Sequence, residues 1–243
     1  MPAALLPLAL ALAAPPPAAL PFRQGEQMEF QIEYLGIKMG AARIWVGRPE
    51  GSILPVFMQA RTGGLTAMLD VREQLVSNLD AGTGLPRSSS LEAVELGYRH
   101  GDSTTFDREG GKAIVRSRGK YGETVKEVEA PPGTMDFVAL IFRLRSLPLD
   151  TGARHEFSVL AGSKVSAVTA EVTGRESVET KAGRFPSVRV RVPTGFTGKF
   201  SEKNPTIVWL SDDARRVVVQ ISTDFAIGHA VARLSAYRPG SDG

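Results

Sequence analysis

Along most of this chain, apolar and polar side chains alternate with a period of two. Successive side chains of an extended strand point to opposite faces, so this beat predicts strands with one buried face and excludes a mainly helical fold. Met28, Phe30, Ile32 and Tyr34 alternate with Glu29, Gln31 and Glu33. Ala42, Ile44 and Val46 share a face with Arg43 and Trp45 opposite, and Val56, Met58 and Ala60 mark a third strand. Gly36 and Gly40 suit the turn between the first two. Residues 73–79 lead into the turn-forming cluster 80–86, a return strand follows over 88–96, and residues 107–111 read as a hairpin loop between two further strands.

One segment breaks the period. After Pro131-Pro132-Gly133-Thr134, the residues Phe137, Leu140, Ile141 and Leu144 fall at helical spacing. Thr134 is the expected cap of the free amide donors, Asp136 favours the positive end, Arg143 and Arg145 lie near the negative end, and Leu147-Pro148 stops the helix. Its apolar stripe reads as a plug or cover for the open side of a sheet, with a functional lid as the alternative. Beyond it the period of two returns at Phe157 and Val159, at Val168, Ala170 and Val172, at Val188, Val190 and Val192, and over 207–210, 217–221 and 231–237. Residues 180–184 form a hairpin turn, and Asp212-Asp213-Ala214-Arg215 reverses the chain.

The expected fold is therefore all-β, an antiparallel curved sheet or open barrel with one short α-helix packed against it. Residues 22–239 form a single β-rich domain. The echo of GEQMEFQI from Gly25 in GARHEFSV from Gly152 raises two pseudo-repeated halves, 22–130 and 152–239, as a further expectation.

The opening stretch MPAALLPLALALAA carries no charge before Arg23 and is far shorter than the roughly 20 residues of a spanning helix. With the small-x-small pattern Ala11-Leu12-Ala13 it reads as a signal peptide cleaved near Ala13, followed by a Pro-rich spacer to Pro21, and it implies export to the periplasm. It lacks the Lys or Arg that would precede such a run, as a start codon further upstream would explain. The chain has no cysteine, which removes disulfides, thiolate metal sites, cysteine nucleophiles and a lipid anchor together. Its net charge of +3 is spread among interspersed charges of both signs, without the basic, aromatic-studded face that nucleic acid requires.

No catalytic residue, cofactor or metal emerges. His100, His155 and His229 lie in separate segments without a second ligand at metal spacing, and no G-x-S-x-G is present. Ser88-Ser89-Ser90 with His100 and Asp102 makes a poor triad. Asp212-Asp213, Glu127 with Glu129, and Glu171 with Glu176 are not diagnostic, the first pair being better suited to bonding its own backbone. Gly110-Gly111 and the stretch from Gly195 to Gly198 lack the context of a phosphate loop. A cavity at a barrel mouth remains, with Trp45, Phe57, Phe106 and Phe142 as candidate lining and core filling as their alternative role.

Four motifs occur in order: Phe22-x-x-Gly25-Glu26-x-x-Glu29-Phe30 with Gly36 and Gly40; Met135-Asp136-Phe137 leading a helix to Arg143; Gly174-Arg175-Glu176 with Thr180-Lys181-Ala182-Gly183-Arg184-Phe185; and the run from Val208-Trp209-Leu210-Ser211-Asp212-Asp213 to Arg216. In this order they resemble the bacterial family known as domain of unknown function 3108, from Phe22 to about Tyr237. Val218 departs from a proline frequent there. The resemblance implies an exported β-rich protein, distantly similar to half-barrel periplasmic lipoprotein carriers, with Gly25, Asp136, Arg143, Trp209, Asp212 and Asp213 as structural positions and no catalytic residues to transfer. Three functions follow as expectations: non-enzymatic binding of an apolar or glycan-bearing envelope component or a partner protein, a structural or assembly factor of the envelope, and a hydrolase of envelope polymers.

Overall fold

The computed structural model describes residues 20–63, 70–193, 205–224 and 228–241, so the signal-peptide segment and the Gly195 to Gly198 stretch lie outside the described residues. Eight strands precede the helix: β1 (Gln27–Tyr34), β2 (Ile37–Val46), β3 (Ile53–Thr62), β4 (Arg72–Asp80), β5 (Pro86–Glu95), β6 (Tyr98–Asp107), β7 (Lys112–Gly119) and β8 (Gly122–Glu129). After α1 (Phe137–Leu144) come β9 (Arg154–Ala161), β10 (Lys164–Thr180), β11 (Gly183–Val192), β12 (Thr206–Ser211), β13 (Val218–Asp224) and β14 (His229–Arg238).

All fourteen belong to one antiparallel sheet in the order β8-β7-β6-β5-β4-β3-β2-β1-β14-β13-β12-β11-β10-β9. Each strand pairs with its neighbours in sequence, as short hairpins favour, except that β8 and β9 do not pair and β1 pairs with β14. The expected all-β sheet with one short helix is what the chain forms. Because the strands alternate in direction, the turns fall at two ends. The α1 end also carries the turns at 80–85, 107–111, 181–182 and 212–217, and the opposite end carries the turns after β1, β5 and β7.

The period of two sets the inner face. One cross-strand row runs Met28, Ile44, Met58, Leu75 and Leu91, and another runs Val172, Val190, Val208, Ile221, Ala232 and Ile32. Towards the α1 end this face is closed: Met28, Val46, Val56, Leu79, Val190, Val208 and Leu210 share one core with Leu140, Phe142 and Leu144 of the helix. Asp136, not Thr134, caps α1, its Oδ1 accepting from the Ala139 amide at 2.7 Å. Thr134 instead donates to the Pro131 carbonyl at 2.7 Å and meets Ser158 Oγ at 2.9 Å. Gly40 is a strand residue, not part of the first turn; a Cβ there would overlap the Arg61 carbonyl oxygen of the neighbouring strand.

The two sheet edges, β8 and β9, are joined by side chains where a closed barrel would have a ladder. Phe106, Ala113 and Val115, with Val128 of β8, pack against Leu160 and Val165 of the β9–β10 hairpin in a second apolar cluster. Leu160 and Val165 pair with each other and lie one residue out of phase with Val159 and Val168 of the main core, so the N-terminal edge laps over the outside of the C-terminal one. Among the described residues, Met135 alone forms a backbone bridge to the free side of β9, at Val159.

Candidate functional site

The helix is held by two buried polar contacts. Arg145, at its C-cap, forms a forked ion pair with Glu26 at 2.8 and 2.7 Å, with 0% and 2% of the two side chains exposed. The same guanidinium donates to the carbonyls of Arg215 and Arg216, and it lies 5.1 and 5.4 Å from the Phe142 and Phe22 rings. Tyr237 donates to Glu26, and burial together with that carboxylate pushes its phenol up to about 12. At the other end of α1, Ser77 of β4 donates to Asp136 Oδ2 at 2.6 Å. Burial pushes the Asp136 carboxyl up, against the Ala139 amide, the Ser77 hydroxyl and the Arg108 charge, which draw it down. These groups fix the plug, and every strong donor in them is already used.

Beyond the plug the inner face is only partly covered, although Ala42, Met58, Leu75, Ile221 and Ala232 still pack against the border of the main core. Ile32, Ala42, Met58, Ala60, Leu75, Ile221 and Ala232 lie on it and are half-buried, whereas Met28, Val56 and Val208 in adjoining rows are fully buried. The concave surface therefore consists of a fully packed half and a partly exposed half that carries Glu73, His100 and Asp102 among its apolar residues. A groove of about 720 Å³ over β1 to β5 is lined mostly from the other face of the sheet, by Arg43, Gln59, Arg61, Gln74 and Glu92, which alternate with the inner-face Ala42, Ala60 and Ala93.

The four candidate lining residues do not come together. Trp45 and Phe57 stack at 4.9 Å with planes 9° apart on the face opposite Ile44 and Val56, and Arg43 covers Trp45. Phe106 is buried in the seam cluster. Phe142 meets Phe22 edge-on at 4.6 Å inside the main core. Of the structural positions, Gly25 takes a left-handed φ of 79° and Arg143 lies exposed in the last helical turn. Trp209 donates to Glu176 at 2.7 Å, Asp212 pairs with Arg175 and Arg216, and Asp213 accepts from the Arg215 amide and from Ser211, the local bonding expected of that turn.

Sequence reasoning missed one cluster. In the β13–β14 hairpin, His229 Nδ1 lies 2.6 Å from Asp224 Oδ1 and its Nε2 lies 3.3 Å from Ser222 Oγ, the connectivity of a serine–histidine–aspartate triad. The hairpin register produces it: Asp224 is opposite His229, and Ser222 is two residues back on the same face. Ser222, only 7% exposed, sits in a strand flanked by β12 and β14, so the amides around it serve ladders and none is free to form an oxyanion hole. His100 and His155 make no such cluster; His155 bonds the Pro148 carbonyl.

The described geometry is that of a plugged, lapped half-barrel, and it accords with the sequence match over residues 29–235 to the family described as "Protein of unknown function (DUF3108)". The chain belongs to that family. No curated protein matches it. Among solved structures, the beta-barrel-like protein of domain of unknown function DUF1849 from Brucella abortus superposes with a TM-score of 0.61 at 10% identity, over 89% of this chain and 98% of that one. A Bacteroides fragilis protein described as a "putative exported protein with YmcC-like fold" matches at 10% identity over 90% and 98% of the two chains with a TM-score of 0.37. The first likeness establishes a shared β-barrel-like fold for this DUF3108 member. Among the described residues no helix is long and apolar enough to cross a membrane.

Proposed function

We propose that this DUF3108 protein is exported and acts without catalysis, holding the apolar part of an envelope component against the open half of its concave sheet. The observation that carries this reading is the partly exposed inner face around Met58, Ala60, Leu75 and Ile221, next to a core in which the same face is fully buried. A fold that can bury Val190 and Val208 completely gains nothing by leaving their row half-wet at Ile221 and Ala232, unless something else covers them. Glu73, His100 and Asp102, which the register sets on the same inner face, suit the polar portion of an amphiphile or glycan-bearing ligand. Export rests on the apolar N-terminal segment and its small-residue cleavage pattern.

Native mass spectrometry of protein purified from its own envelope should show a co-purifying lipid or glycolipid. Ala60→Trp, which fills the open face at a half-buried position, should abolish that adduct while leaving the fold cooperative. A clean apo mass for the wild type would refute the carrier reading and leave the assembly-factor one.

The Ser222–His229–Asp224 cluster favours a second reading, hydrolysis. It predicts that a fluorophosphonate probe labels Ser222 and that Ser222→Ala removes the label. With the hydroxyl buried and no free amide pair beside it, the expected result is no labelling of the folded protein.

A further inference from the structure

The two ends of the sheet obey different rules of turn chemistry. At the α1 end the reversals are polar and locally hydrogen-bonded: Asp80 accepts from the amides of Gly82 and Thr83, Asp107 from Gly110, Thr180 from Ala182 and Asp213 from Arg215. At the opposite end three of the described tips are apolar, while the β9–β10 tip is Gly162-Ser163. Leu35 and Ile37 flank the first, at 62% and 55% exposed; Leu96 and Tyr98 flank the second, at 75% and 39%; Tyr121, at 96%, tops the third.

Two of these tips are also strained. Leu35-Gly36 has φ of 51° and 77°, and Leu96-Gly97 has φ of 51° and 79°. Both are two-residue hairpin loops with both central residues left-handed, a turn whose first position favours Asn or Asp and disfavours leucine. A leucine that is mostly exposed and does not suit its backbone occurs twice, at equivalent places on one rim. Violations of local preference that recur in this way point to something outside the fold that rewards them.

A cation accompanies each tip. Lys38 follows Ile37, Arg99 follows Tyr98, and Lys120 precedes Tyr121, and all three are exposed. Apolar fingers of one or two residues with a basic side chain at their base complement a layer of anionic headgroups over acyl chains.

We infer that this rim docks on the surface of an anionic phospholipid bilayer, inserting Leu35, Leu96 and Tyr121 between headgroups contacted by Lys38, Arg99 and Lys120. The inference goes beyond the cargo reading and does not depend on it. The docked rim is the end away from α1, so docking would set the open half of the concave face towards the lipid.

Flotation of the full chain with phosphatidylethanolamine–phosphatidylglycerol vesicles tests it. The wild type should float with these vesicles, less so at high salt, and should not float with phosphatidylcholine alone. Leu35→Asn combined with Leu96→Asn should weaken binding by about tenfold for each tip, while the thermal midpoint stays at or above that of the wild type because Asn suits the turn. Loss of binding therefore cannot be put down to a failure to fold. The inference is overturned if the wild type does not float or if the double variant floats equally well. It is also overturned if analytical ultracentrifugation finds a wild-type dimer that the double variant dissolves, without vesicle binding. Ala60→Trp should float as the wild type does, so a clean native mass with intact flotation removes the cargo reading alone.

Discussion

Arg145→Ala is expected to destabilise the protein by about 3–5 kcal/mol, the usual cost of leaving one partner of a buried ion pair unpaired. Removing the guanidinium strands the Glu26 carboxylate, which is 2% exposed, and takes donors from the Arg215 and Arg216 carbonyls at once. Against a total stability of roughly 5–15 kcal/mol, such a variant sits near the edge of folding. Urea denaturation measures it directly. Pairing Arg145→Met with Glu26→Leu should recover part of the loss, since no charge is then buried while the two carbonyls remain unserved. A single variant within about 1 kcal/mol of the wild type would mean that the pair is solvated in a way its burial does not suggest.

Phe142→Ala should cost about 3–5 kcal/mol through lost burial and the cavity left behind. Phe142 is 1% exposed, edge-on to Phe22 and beneath the Arg145 guanidinium, so its removal also loosens the packing around the ion pair. The two losses are coupled, and the double variant Phe142→Ala with Arg145→Ala should fall short of their sum. A ligand-lining role for Phe142 makes the opposite forecast: near-native denaturation with the native-mass adduct lost. The two measurements separate them.

The alternation was enough to read the strands, because a one-residue error in phase would turn every apolar side chain to solvent. The helix was legible for the same reason, as the stretch where Phe137, Leu140, Ile141 and Leu144 keep a different period. Its cap was not, since Thr134 and Asp136 both carry an acceptor of the right kind and only the chain path past Ser158 decides between them. Glu26 and Arg145 could not be matched either: they are 119 positions apart, and each alone reads as a surface charge. Ser222, Asp224 and His229 lie within a single hairpin and were within reach, given the register of β13 on β14. Nothing in the alternation alone fixes which residue of β13 faces His229. The four aromatic candidates failed to converge because an aromatic on a strand signals burial without saying on which side: Trp45 and Phe57 stack on the outside, Phe142 fills the plug and Phe106 lies at the edge.

The lapped edge has a mechanical corollary. In a tube closed by a full ladder, girth is fixed by strand number and stagger, and widening it breaks a row of backbone bonds. Here the circumference is completed by a small oily overlap, Phe106, Ala113 and Val115 against Leu160, so dilation along that line gives up side-chain contact and leaves every hairpin intact. A wall of this kind would yield first at the overlap, because every other neighbouring pair of strands is held by a backbone ladder.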